Sequence, residues 1–127
     1  MKNLKIEKTK YTLEIDFDGT TGNLNMSGSS YPENAIDFYK PITDWIETFI
    51  KEEQKPIILN FRLNYLNTSS TKCILDVFEI LEEYNEENEV TVNWYYEAED
   101  EDILETGEEM GEDMDIPMNF IPVKGET

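Results

Sequence analysis

The segment Asn67-Thr68-Ser69-Ser70-Thr71-Lys72 places four hydroxyls in a row. It follows the apolar run Pro56–Tyr65 and precedes a helical pattern. A helix start needs a side-chain oxygen to satisfy an orphan backbone N–H, and Asn67, Ser69 or Ser70 would do this alone. Four hydroxyls exceed that need. A phosphate at a helix N-terminus meets free N–H groups and the positive end of the helix dipole. Phosphorylation here would add up to about two negative charges to a rigid, exposed tip without melting the helix. That abolishes a close docking contact while sparing the fold. From the residues alone, capping and switching both stand.

Composition removes most other chemistry. There is no His and only one Cys, Cys73. Ser-His-Asp and Cys-His catalysis, His-bearing zinc sites and Cys-rich zinc sites are therefore excluded. Neither G-x-G-x-x-G nor G-x-x-x-x-G-K-[ST] occurs. An EF-hand starting at Asp100 fails, with Leu104 at its fifth position and Glu105 at its sixth. No metal and no cofactor are expected. What remains is a small carboxylate-based enzyme or ligand-binding domain, or a protein with no catalysis at all. Cys73, in the first turn of the second expected helix, has two readings: a lowered pKa there, or burial without reactivity. Trp45 and Trp94 fall on apolar faces and read as core, which leaves Tyr95 as the better surface aromatic.

The 127 residues are one domain's worth, 1–127, and 39% of them are apolar. A lone Cys fits a reducing compartment, and no apolar run approaches a membrane span, so a cytoplasmic location is expected. The net charge of −19 excludes a basic footprint for nucleic acid and disfavours anionic membranes. Partners with basic or mixed surfaces are favoured. The acidity is polarised. Residues 1–72 carry nine basic and ten acidic side chains; residues 73–127 carry one and nineteen.

Periodicity supplies the elements. Leu4–Glu7 and Thr12–Phe17 alternate as strands, Gly22–Gly28 reads as a short third strand, and Gly28–Pro32 as punctuation. Residues 34–53 form an amphipathic helix, either kinked at Pro41 or restarted there. Pro56–Tyr65 is a central strand, its apolar start suggesting cover on both faces. A loop at 66–70 leads into a helix from about Ser69. Glu89–Tyr96 is a further strand. The acidic segment 97–115 should hold a weak helix, 115–122 is extended, and 123–127 is a flexible tail. The expected fold is α/β: a single-domain mixed sheet with helices mainly on one face and a parallel crossover over 56–96. The core should come from Ile42, Ile46, Phe49, Ile57, Leu59, Phe61, Ile74, Val77, Phe78, Leu81, Val90 and Val92.

Longer motifs carry a resemblance. Tyr65-Leu66-Asn67-Thr68-Ser69-Ser70-Thr71-Lys72 resembles the central motif of the SiaC family of bacterial regulatory phosphoproteins. Gly28–Asn34, Phe38–Ile42 with Trp45–Glu47, Val92–Tyr96, Asp100–Asp102 and Glu105–Glu108 follow in the family's order. The likeness spans about residues 4–122 without a departure from the pattern.

The resemblance implies a non-enzymatic partner-switching protein, similar in fold to anti-sigma-factor antagonists of the STAS type. In such systems a serine/threonine kinase phosphorylates a hydroxyl at this strand–helix junction, and a PP2C-type phosphatase removes the phosphate. The unphosphorylated form binds and activates a diguanylate cyclase, with cyclic di-GMP and biofilm or aggregation behaviour as output. The family's phosphorylated residue falls on Thr68. The expected partner-binding residues are Asn64, Tyr65, Asn67, Thr68, Ser69, Ser70 and Lys72.

Overall fold

The computed structural model describes residues 1–112 and 114–124. Nine elements follow one another: β1 (Leu4–Ile6), β2 (Glu14–Phe17), β3 (Asn23–Ser30), α1 (Ala35–Glu52), β4 (Ile57–Leu66), α2 (Thr68–Tyr84), β5 (Val90–Glu97), α3 (Glu101–Gly111) and β6 (Met118–Val123). They build a six-stranded sheet whose spatial order equals the chain order. β1, β2 and β3 pair antiparallel, while β3 to β6 pair parallel.

This order explains where the helices lie. Three successive β-α-β crossovers step in the same direction across the sheet. Right-handed crossovers that step the same way put their helices on the same face. Leu24 and Met26 of β3, Leu59 and Phe61 of β4, and Val92 and Trp94 of β5 point to that face and are buried. All twelve core residues expected from periodicity are at most 1% exposed. Among the described residues, the other face carries no helix. Ile58, between buried Ile57 and Leu59, is 40% exposed. The expectation that this strand is covered on both faces is therefore corrected: β4 is central, with one covered face.

Each helix has its own start signal. Asn34 Oδ1 accepts from Asp37 N at 3.2 Å to open α1, which runs unbroken through Pro41. Asp100 Oδ1 accepts from Ile103 N at 3.1 Å to open α3. Glu101 and Asp102 in its first turn complement the dipole. α3 sits so close to the sheet that a Cβ on Gly107 would lie 2.5 Å from Trp94 Cε2. Trp94 Nε1 also donates to the Ile103 carbonyl at 3.0 Å.

Several boundaries differ from the sequence-based expectation. β3 runs through Ser29 and Ser30 because they pair with Tyr65 and Leu66 of β4. Val123, expected in a tail, closes β6, and its carbonyl accepts from Ala98 N at 3.0 Å. Residues 125–127 lie outside the described residues.

Candidate phosphorylation and docking site

The junction between β4 and α2 is a single residue. Asn67 leaves the strand in an extended conformation and caps the helix, its Oδ1 accepting from Ser70 N at 2.8 Å. Its N–H donates to the Ser30 carbonyl at 3.0 Å, and its own carbonyl accepts from Thr71 N at 3.0 Å. The expected loop over 66–70 is thus shortened, since Leu66 still belongs to β4 and Thr68 already to α2. Thr68 is the first helical residue and is exposed, as is Ser69. With Asn67 as the cap, the Thr68 hydroxyl is not needed to close the helix.

Ser70 does something else. It is fully buried. Its Oγ lies 2.7 Å from Ser30 Oγ and donates to the Ser30 carbonyl at 3.1 Å. Ser30 Oγ lies in turn 2.8 Å from the Tyr39 hydroxyl of α1. Burial pushes the Tyr39 phenol above its ordinary pKa, more than the hydroxyls of Ser30 and Ser70 lower it. This chain of three hydroxyls ties the start of α2 to β3 and α1. Ser70 is among the expected partner-binding residues; its burial makes it instead an anchor beneath the exposed start of α2.

Of the other expected surface residues, Asn64, Tyr65 and Lys72 are exposed and Asn67 is half-buried. The sheet register shifts at this end: Gly28 pairs with Leu63 and Ser29 with Tyr65, leaving Asn64 unpaired with β3. Tyr65 meets Tyr31 edge-on at 5.8 Å, and Tyr31 meets Tyr11 edge-on at 5.3 Å. Tyr11 and Tyr65 are each 53% exposed. Together with Thr68 they form a partly apolar tip at the C-terminal end of the parallel strands.

The electrostatics suit an added anion. The first turn of α2 carries no acidic side chain. Lys72 stands four residues after Thr68 and so on the same helix face. Cys73 lies in the second turn rather than the first. Desolvation pushes its thiol pKa up and Asp76 pushes the same way, outweighing Lys72, so the lowered-pKa reading is corrected to a raised one. Trp94 is buried and Trp45 is 9% exposed. Tyr95 is half-buried, with the Arg62 guanidinium stacked 4.1 Å from its ring centroid.

A protein-family model described as SiaC family regulatory phosphoprotein matches residues 6–123. The chain belongs to the SiaC family of regulatory phosphoproteins. An uncharacterised protein of Pseudomonas aeruginosa (strain UCBPP-PA14) is 39% identical over 118 residues, 92% of this chain and 94% of that protein. The solved structure of SiaC from Pseudomonas aeruginosa is similar at a TM-score of 0.90 and 36% identity, over 97% of this chain and 100% of that one. A second structure holds the diguanylate cyclase SiaD in complex with its activator SiaC from Pseudomonas aeruginosa. The matched chain there is 37% identical with a TM-score of 0.90, over 94% of this chain and 99% of that one.

Within this SiaC-family fold, sequence reasoning missed four residues of the site: Tyr11, Tyr31, Ser30 and Tyr39. Tyr31 and Ser30 stood in a motif, but as punctuation. The backbone bond from Tyr31 N to the Tyr11 carbonyl, 2.8 Å, brings the two tyrosines together. No spacing in the sequence encodes that contact, because it depends on β2 lying beside β3. Among the described residues, no group of three or more His, Cys, Asp or Glu is gathered for a metal ion, and no helix is long and apolar enough to cross a membrane.

Proposed function

We propose that this SiaC-family protein is a non-catalytic partner switch that, unphosphorylated, binds and activates a diguanylate cyclase. Phosphorylation of Thr68 by a partner-switch serine/threonine kinase turns it off, and a PP2C-type phosphatase restores it. The setting is the cytoplasm and the output is cyclic di-GMP, with biofilm or aggregation behaviour downstream. One observation carries this reading. A relative with the same fold, SiaC, is bound to SiaD as its activator, and here Thr68, on which the family resemblance puts the phosphorylated hydroxyl, is exposed at the first position of a helix.

The mechanism follows from the geometry. The tip is rigid, because Asn67 and Ser70 fix the helix start. A phosphate on Thr68 therefore changes charge and shape at the surface and leaves the fold beneath intact. An interface centre tolerates an unpaired buried charge poorly, at about 3–5 kcal/mol. That is on the order of a hundred- to several-thousand-fold in affinity.

The carboxylate-enzyme alternative gains no general acid at Asp18. Asp18, beside Asp16 and Lys5 in an open cleft, accepts from Thr20 N at 2.8 Å and Thr21 N at 3.1 Å. These backbone bonds lower its pKa, so at neutral pH it is an ionised turn cap with no proton to give.

The test has two arms. Incubation with the kinase and ATP, followed by intact mass and peptide mapping, should give one phosphate on Thr68 and none on Thr68→Ala. Cyclic di-GMP formation by the cyclase should rise on adding the unphosphorylated protein. No rise, with a folded protein and an active cyclase, would overturn the reading.

A further inference from the structure

The face of the sheet opposite the helices is unusual for this chain. The protein carries 29 acidic side chains. Yet the outward positions of β3 to β6 carry amides, hydroxyls, Ile58, Ile121 and Tyr95, with one charge, Arg62, and no carboxylate before Glu97 at the end of β5. Its centre is an asparagine ladder across four strands. Asn60 Nδ2 donates to Asn25 Oδ1 at 3.1 Å, Asn93 to Asn60 at 2.9 Å, and Asn119 to Asn93 at 3.0 Å. The four residues occupy one register line. These side chains are already ordered, so covering them costs little further rotamer entropy. Next to the ladder lies the Arg62–Tyr95 stack, a pairing of two residue types that dominate interface energetics.

Size links this face to the Thr68 tip. A stable interface takes about 20–30 residues a side. The tip between Asn64 and Lys72 supplies fewer than half of these, and Ser70 among them is buried. The open face adjoins the tip at Asn64, two residues from Arg62, and the two together reach the required size. Charge points the same way across the asparagine-lined centre, where a partner's own carboxylates meet the least repulsion; Glu14, Asp16 and Glu97 stand at its rim.

We infer that the open face of β3 to β6 is the second half of the cyclase-binding surface, continuous with the Thr68 tip, with Arg62 stacked on Tyr95 as its anchor. This rests on the proposed function and extends it. The complementary surface on the cyclase is uncharged across the asparagine ladder and places a carboxylate opposite Arg62. Thr68 lies at one end of the combined surface, so its phosphate would lift one end of a contact that the sheet face alone is too small to hold.

The experiment is a titration of the cyclase with the full chain as wild type, Arg62→Glu, Ile58→Glu and Thr68→Asp, with Glu79→Lys on the helical side as control. Folding is checked by circular dichroism and thermal midpoint. Arg62→Glu should weaken binding at least thirty-fold, the ~2 kcal/mol of a hot-spot residue. Ile58→Glu, farther from the tip, should weaken it about ten-fold, and Glu79→Lys should bind as wild type. If Arg62→Glu misfolds, Ile58→Glu decides. Wild-type affinity in folded Arg62→Glu and Ile58→Glu, with loss in Thr68→Asp, would confine the interface to the tip and overturn this inference while leaving the switch intact. A face that is instead covered by a second copy would show wild-type dimers in sedimentation that dissociate in Ile58→Glu at unchanged cyclase affinity, and that too would overturn it. No binding by wild type would remove both proposals.

Discussion

Ser70 Oγ lies 2.7 Å from Ser30 Oγ although the two residues are 40 apart in the chain. The contact joins the helix that carries Thr68 to the strand that ends beside it, and both hydroxyls are fully buried. Ser70→Ala removes a donor to the Ser30 carbonyl and one partner of the Ser30 hydroxyl. Tyr39 still satisfies that hydroxyl and Asn67 N that carbonyl. The expected loss is therefore that of a single satisfied hydrogen bond, about 1 kcal/mol. The midpoint of urea unfolding should fall accordingly, whereas exposed Ser69→Ala should leave it unchanged.

Alkaline stability should depend on Tyr39. Burial raises its folded-state pKa above the unfolded value. The neutral phenol's contribution is fully present below the unfolded pKa, about 10. It is lost as pH rises through the folded pKa, because the unfolded chain releases the proton first. Stability should thus fall above about pH 10, and Tyr39→Phe should make that fall shallower. Urea unfolding at pH 8 and pH 10.5 compares the two; an identical fall in both proteins would contradict the assignment.

Phosphorylation of Thr68 should stabilise the isolated protein. The phosphate sits over the first N–H groups of α2, a turn with no other acid, and within i,i+4 reach of Lys72. The expected gain is about 0.5–1 kcal/mol at low salt, a rise of roughly 2–5 °C in Tm. A lower Tm for the phosphorylated form would mean that the switch works by loosening the helix.

Gly107 is where α3 touches the sheet. A methyl there would meet Trp94 Cε2 at 2.5 Å and Nε1 at 2.6 Å, and Trp94 is itself fully buried. Gly107→Ala gains helix propensity of about 1 kcal/mol but overpacks a rigid indole at a cost of about 1–3 kcal/mol. Net destabilisation and a change in Trp94 fluorescence are expected. A more stable Gly107→Ala protein would show that α3 can move away without loss.

Periodicity made the core legible because one face of the sheet is covered, and a one-sided burden leaves a clean record. Ile57, Leu59 and Phe61 on β4 and Ile74, Val77, Phe78 and Leu81 on α2 are buried as their spacing predicts. Ile58 misled because a run of three apolar residues looks the same whether or not its second face is covered. That Thr68 is exposed where the strand gives way to the helix was legible in the segment Asn67–Lys72. That Ser70 faces inward depends on which residue caps the helix: Asn67 at that position makes Ser70 the third helical residue and turns it to the core. The tyrosines at the tip and the asparagine ladder are contacts between strands, and only strand order and register bring Tyr11 to Tyr31 or Asn25 to Asn60. A single chain read in order carries no signal for either.

Affinity of the cyclase for wild type, Thr68→Ala and Thr68→Asp is the most direct test of the switch. Asn67 caps α2, so all three should fold alike by circular dichroism. Thr68→Ala should bind within a few-fold of wild type and resist the kinase, since it loses only a methyl and an exposed hydroxyl. Thr68→Asp, with one of the phosphate's charges, should bind at least about thirty-fold more weakly, a loss of ~2 kcal/mol or more. Equal affinity of folded wild type and Thr68→Asp would take Thr68 out of the interface and contradict the mechanism.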